Sequence, residues 1–285
     1  MKSDQFKGLL SLHSASLLFG GTALFSQTIQ LNAIDLTAWR CLIAGLFLFA
    51  WLKLKQHPLT FEHKYHYFGI IGLAVLVGLH WITYFHAMQV AGVTVGILAL
   101  FTYPVMTVLL EPIFDRARIK ARDLIAAVLV VVGVSLMTPS LNPEDPIVVG
   151  IFWGVLSALL FTLRNLLMKK YYRQYSPLLT MGWQSVLVTV MLLPFVTGDL
   201  LVLENSQWLQ LFLLGTFFTA APHTLLANSL RYLKAASVSL ISCLQPVYGA
   251  ILAFLILGEH IELMTLAGGS LIIAAAVNET LRRKD

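Results

Sequence analysis

Two arginines, Arg40 and Arg164, and two histidines, His80 and His223, stand inside long apolar runs of a 285-residue chain. A charged or titratable group in such a run is costly to keep there, which makes it a candidate for chemistry rather than filler. Imidazoles titrate near neutral pH and can pass protons. Arg164, with Asn165 beside it, can meet a carboxylate, or either guanidinium can snorkel toward an aqueous edge.

The stretch GLHWITYFHAMQ, Gly78 to Gln89, concentrates such groups. Read as a helix, it brings His80, Thr83, Tyr84 and Ala87 within about 60° of one line, a polar stripe expected to face a cavity. His86 falls about 120° away from His80. It also lies roughly 13 Å from the middle of its segment, so it is expected at a rim. Trp81 and Tyr84 offer aromatic faces to a ligand.

Two prolines point to the same depth. Pro104 and Pro246 each lie near the middle of an apolar segment, where each removes a helical hydrogen bond and crowds the carbonyl four residues back, that of Leu100 and Ser242. Kinks are expected at both. Phe101, Tyr103, Gln245 and Tyr248 flank them and are candidate ligand contacts. Gln245 can alternatively bond between helices.

The elements that position these groups follow from composition. The chain is 58% hydrophobic and 12% charged, with mean hydropathy +0.80. A soluble globule carries about 25% charged residues, so this chain is expected to be an all-α integral membrane protein. Ten segments of spanning length run at 8–28, 36–54, 67–88, 93–113, 122–139, 147–168, 177–196, 207–229, 236–256 and 262–281. Their continuity suits helices, not barrel strands.

With the N-terminus in the cytoplasm, 17 of the 19 Lys and Arg residues fall in the inside segments, and the other two are Arg40 and Arg164. That distribution predicts ten spans with both termini cytoplasmic. The +5 net charge is therefore a topology signal, and no nucleic-acid partner is expected. Cys41 and Cys243 lie in apolar segments and read as buried thiols.

A long internal repeat is visible. An offset of 142 residues aligns Pro104 with Pro246, SLLF (Ser16 to Phe19) with ALLF (Ala158 to Phe161), and Trp81 with His223. Spans 1–5, within 1–140, then correspond to spans 6–10, within 146–285. Five is odd, so the halves have opposite orientations. Inverted repeats of this kind bind a solute between the halves near the midplane. A His80–His223 proton path is one expectation; two buried neutral histidines bonded to backbone or ligand is the other.

Ten spans, the five-plus-five repeat and the two central prolines resemble the drug/metabolite transporter superfamily, EamA branch. LQPVYGAILAFLILGEHI (Leu244 to Ile261) is similar to the signature of that family's ninth span, including Gly258-Glu259, and WRCLIAGLFLF (Trp39 to Phe49) resembles the start of its second. The first half departs from the pattern, since Leu109 to Ile119 lacks the Gly-Glu pair.

The resemblance implies a secondary transporter working by alternating access. It implies an exporter of small metabolites such as amino acids, proton-coupled or not, in a bacterial inner membrane. The expected partners are a small-molecule substrate and the bilayer. A monomer is expected, with a homodimer as the alternative. No cofactor or metal is expected, and no HExxH, paired-aspartate, Gly-x-Ser-Gly or P-loop motif appears that would favour an enzyme or an ATP-driven pump. The competing readings are a membrane-embedded enzyme and a channel.

Overall fold

The computed structural model describes residues 2–115, 121–138, 142–198, 203–229, 232–233 and 241–282. The described elements are helical, with no strand among them. They are α1 (Lys2–Thr22), α2 (Phe25–Thr28), α3 (Ala33–Leu54), α4 (Tyr65–Ala91), α5 (Val93–Leu100), α6 (Tyr103–Asp115), α7 (Ala121–Met137), α8 (Pro146–Tyr171), α9 (Pro177–Leu192), α10 (Asn205–Gly215), α11 (Ala221–Ser229), α12 (Gln245–Leu252) and α13 (Leu263–Arg282).

Six stretches are long and apolar enough to cross a membrane by length and composition: Gln5–Thr28, Ala33–Leu54, Tyr65–Ala91, Val93–Phe114, Pro146–Tyr171 and Pro177–Phe195. Leu124–Met137, Gln245–Leu257 and Leu263–Ala275 are shorter apolar helices. The other expected segment, 207–229, is interrupted: α10 runs into a π turn at Thr216–Ala220 before α11. A hydrophobic run reports apolar content, not an unbroken hydrogen-bond ladder, so the interruption leaves no mark on composition. Large side chains including Phe6, Leu46, Phe68, Val131, Phe152 and Leu255 are exposed on the outside of the bundle. That exposure suits a lipid-facing surface.

Helix starts are set by local chemistry. Asn32 caps α3 by accepting from the backbone N–H of Ile34 and Asp35, each at 2.9 Å. Asp145 and Ser176 cap α8 and α9, each followed by proline in the first turn. The α4–α5 connection is a single residue, Gly92, at φ +88. Glu259 crosses to this corner, and its Oε2 accepts from the Thr94 N–H at 3.1 Å and the Thr94 hydroxyl at 2.8 Å. It thereby supplies a carboxylate to the N-terminus of α5.

The helices pack in pairs: α4 with α8, α3 with α9, α7 with α13, α1 with α11 and α12, and α5 with α8. Small residues let backbones meet. A Cβ on Gly20 would lie 2.9 Å from the Gly249 nitrogen, and one on Gly133 would lie 2.8 Å from the Gly268 oxygen. The main core fills the middle of the bundle with Leu36, Phe85, Met88, Ile97 and Leu214. A second cluster, around Phe61, Ile70 and Tyr172, closes one end. There Trp183 donates its indole N–H to the Leu59 oxygen at 2.9 Å.

Candidate functional site

Both prolines sit at helix breaks rather than at kinks in continuous helices. α5 ends at Leu100, two residues form a turn, and α6 restarts at Tyr103 with Pro104 in its first turn. In the second half a turn at Cys243 and Leu244 precedes α12, whose first turn holds Pro246. Proline is tolerated at a helix start because its missing N–H would have no partner there. Placed at a restart, each proline turns a new helix N-terminus inward.

Those restarts border a cavity of about 350 Å³. His80, Trp81 and Tyr84 of α4 line it, with Phe101 and Tyr103 at the first break and Gln245 at the second. Arg164 and Asn165 of α8 line it too. Seven of the nine candidate contacts are thus brought together. Tyr248 is not among the lining residues; its hydroxyl is 2.8 Å from the His13 Nδ1, and α1 covers that face of α12. His223 belongs to α11, but its side chain lies outside the described residues.

His80 is held from behind. Its Nδ1 is 3.2 Å from the Ser157 carbonyl oxygen and 2.7 Å from the Ser157 hydroxyl. A carbonyl only accepts, so Nδ1 carries the proton. The Ser157 hydroxyl accepts from it and donates onward to the His80 oxygen at 2.9 Å. In the neutral ring this leaves the Nε2 lone pair for the cavity. The ring stacks on Phe161 at 4.7 Å between centroids and on Tyr84 at 6.0 Å. Thr83 faces its own helix, donating to the Leu79 and His80 oxygens. His86 stands apart from the cavity, edge-on to Trp153 at 5.4 Å.

Arg164 is tied in place. Its Nε donates to the Gln184 Oε1 at 2.9 Å, and a terminal nitrogen donates to the Asn165 Oδ1 at 3.0 Å. Gln184 is itself anchored by donating to the Thr180 oxygen at 2.8 Å. Arg40, on α3, also lines the cavity and is only 3% exposed. Its guanidinium lies 4.2 Å from the Trp81 ring centroid and 5.2 Å from that of Phe85. Such cation–π contacts compensate part of a buried charge. The Arg40 Nε has no hydrogen-bond partner.

The π turn between α10 and α11 contributes Phe218 and Thr219 to the wall. The Thr219 hydroxyl donates five residues back to the Leu214 oxygen at 2.8 Å, and Thr22 donates to the Phe218 oxygen at 3.0 Å. Single π turns recur at functional sites because they re-aim side chains within a helix. This turn, Ser157 and Gln184 are not among the candidates that residue type and spacing single out. The last two carried one signal, a polar side chain inside an apolar segment.

Several known proteins similar to this chain are transporters. A transporter of Bacillus subtilis, YxxF, is 26% identical over 274 residues, covering 94% of this chain and 88% of its own. The inner membrane transporter YicL of Salmonella typhimurium is 25% identical over 290 residues, covering 95% and 94%. An S-adenosylmethionine uptake transporter of Rickettsia felis is 25% identical over 210 residues, covering 72% and 68%. One crystal structure aligns over 99% of both chains with a TM-score of 0.65 at 17% identity, a likeness of fold. The sequence model of the EamA-like transporter family matches residues 6–138 and again 148–278. A multi-pass bundle around one central cavity, with a family match over nearly its whole length, is a membrane transporter for a small molecule, and this chain belongs to the EamA-like transporter family.

Proposed function

We propose that the chain is a secondary transporter that carries its solute through the cavity by alternating access. In this reading ten spans form two inverted five-span repeats, 1–140 and 146–285, with both ends cytoplasmic. The observation that carries it is the lining of the cavity. His80, Phe101 and Tyr103 come from the first half and Arg164, Phe218 and Gln245 from the second, on helices broken beside prolines 142 residues apart.

Helix packing supports the repeat. Under the 142-residue offset, the α4–α8 pair maps onto α1–α11 and the α6–α8 pair onto α1–α12, while α3–α9 and α7–α13 map onto themselves. A pseudo-twofold axis between the halves requires pairs of this kind. The double family match, at 6–138 and 148–278, supports it as well. The positive-inside distribution supports cytoplasmic ends in a bacterial inner membrane.

Export is the direction we favour. Coupling to protons through His80 and His223 is part of the same proposal. His80 supports it by presenting one free ring nitrogen to the cavity while the other is fixed by Ser157. The Rickettsia relative's S-adenosylmethionine is not carried over, because that molecule bears a sulfonium and an ammonium and the cavity lining contains no carboxylate. An enzymatic reading has less support. The Ser157 hydroxyl hands its proton to a backbone carbonyl, not to the imidazole, so the pair is not arranged as nucleophile and base.

Flux in proteoliposomes tests the reading. Candidate metabolites are presented with and without a pH gradient, to wild type and to His80→Ala and His223→Ala. Accelerated flux is expected, and its pH dependence is expected to flatten in both variants. If no small solute moves under any condition, transport is wrong; if pH dependence survives both changes, proton coupling through these residues is wrong.

A further inference from the structure

Among the described residues that line it, the cavity has two guanidiniums and no acid. Arg40 and Arg164 both line it, and none of its lining residues is Asp or Glu. The chain offers no nearby substitute. The acidic residues of the whole sequence fall at segment ends or between segments, and none lies near the middle of an apolar run. Buried cations normally face a carboxylate, because an uncompensated charge in a low-dielectric interior costs several kcal/mol or more. Arg164 is supported by neutral amides only. Arg40 has two aromatic faces and a free Nε. Neutral amides and rings orient a guanidinium without cancelling its charge.

The remaining wall is flat and apolar. Trp81, Tyr84, Phe101, Phe161 and Phe218 present ring surfaces. The nearby restarts of α6 and α12 turn the positive ends of helix dipoles toward the same space. Among the described lining residues a second, cationic end of a ligand would meet only neutral acceptors and ring faces, never a carboxylate.

The geometry points to a net-anionic organic acid with a planar apolar body as the solute of this cavity, its carboxylate held between Arg40 and Arg164 and its body against the aromatic walls. The inference rests on the transporter reading for its biological sense. The binding site itself stands on the lining residues alone. Arg164, fixed by Gln184, supplies a fork of set direction. Arg40, lining the same cavity, supplies the second positive charge. Zwitterions of the same shape are disfavoured because their ammonium enters a doubly cationic cavity.

The test uses the full-length protein in nanodiscs and four probes of nearly equal shape: 3-phenylpropanoate, 3-phenylpropanamide, phenylalanine and phenethylamine, titrated calorimetrically. The expected order puts 3-phenylpropanoate at least tenfold tighter than each of the others, with affinity falling as chloride rises. Arg40→Gln and Arg164→Gln are each expected to lower its affinity tenfold or more, and Arg40→Lys to lower it less. Because the wild-type order needs no variant, misfolding of a variant leaves the test intact. Equal or tighter binding of the amine or of phenylalanine overturns the inference. So does absence of binding by all four, or unchanged anion affinity in folded Gln variants. Anion binding without flux of any solute would strike the transporter reading and spare the site. Flux of a cation without anion binding would do the reverse.

Discussion

Replacing Ser157 by alanine removes the group that fixes His80, and the size of the effect can be worked out in advance. The hydroxyl makes two buried bonds, accepting from the His80 Nδ1 at 2.7 Å and donating to the His80 oxygen at 2.9 Å. Bonds between helices in membranes average roughly 0.6 kcal/mol and reach about 1.7. Neither partner is orphaned by the change. Nδ1 keeps the Ser157 carbonyl at 3.2 Å, and the His80 oxygen keeps the Thr83 hydroxyl at 3.0 Å. The penalty for an unsatisfied buried group, about 1–3 kcal/mol, is therefore avoided. The expected loss is about 1–2 kcal/mol, read by tryptophan fluorescence during SDS unfolding in mixed micelles. Ser135→Ala is the control, because its exposed hydroxyl bonds only to the Val131 oxygen of its own helix; its loss is expected to stay within about 0.5 kcal/mol. A Ser157→Ala loss no larger than the control would refute the bond pattern. A loss well above 3 kcal/mol would show that Nδ1 has no second acceptor and that the tautomer assignment is wrong.

Other changes probe the scaffold around the site. Gly154→Val puts a Cβ 2.5 Å from the Ala99 Cβ, which cannot rotate away, so α8 must move off α5; a loss of about 1–3 kcal/mol is expected in the same assay, and an unchanged midpoint would contradict the packing. Glu259→Ala removes the acceptor for both Thr94 donors and is expected to cost about 1–2 kcal/mol. A double-mutant cycle with Thr94→Ala checks the hydroxyl bond: strict additivity would mean that bond is not formed. Gln184→Leu takes the acceptor from the Arg164 Nε and leaves a buried charge short of one bond. A loss of about 1–3 kcal/mol is expected, with weaker anion binding alongside it; retention of both would show that Arg164 is not positioned by α9.

The stripe on span 3 was legible in the sequence because helical periodicity is a local property. His80 and Tyr84 line the cavity and His86 does not, but Thr83 and Ala87 of the same stripe are not among its lining residues, since periodicity gives a direction and not the neighbour that closes it. The prolines were legible for the same reason, although composition could not say whether the helix bends there or stops. What the sequence hid is which helix covers which face. Gln245 and Tyr248 share one side of their helix, yet only Gln245 lines the cavity, because α1 approaches at Gly20 and Gly249 and brings His13 to the Tyr248 hydroxyl. Arg40 could be read as snorkelling toward an aqueous edge, yet the structure buries it at the cavity wall. Depth along an axis is a poor guide for a side chain that long, and Trp81 directs its guanidinium to the cavity. Ser157 and Gln184 each act on a residue more than 15 positions away, a relation that no periodicity records.

The departure of the first half from the family signature acquires a physical meaning at Glu259. Gly258 turns the chain at φ +67 after the π turn at Ala253–Leu257, and Glu259 then reaches the one-residue corner at Gly92. A Cβ on Gly92 would overlap the Glu259 carboxylate, so the glycine and the acid fit only together. At the 142-residue offset the counterpart of Glu259 is Ala117, outside the described residues; alanine has no side-chain acceptor, whatever its surroundings. Under the proposed repeat, the position matching Glu259 carries no carboxylate. In an alternating-access cycle, a contact made in one arrangement and without an equivalent in the other weights the equilibrium by its own free energy. At about 1–2 kcal/mol that is roughly a five- to thirtyfold bias toward the arrangement in which the corner is closed. In the cycle proposed above, the loss measured for Glu259→Ala is an upper bound on what this one contact contributes to the difference between the two arrangements.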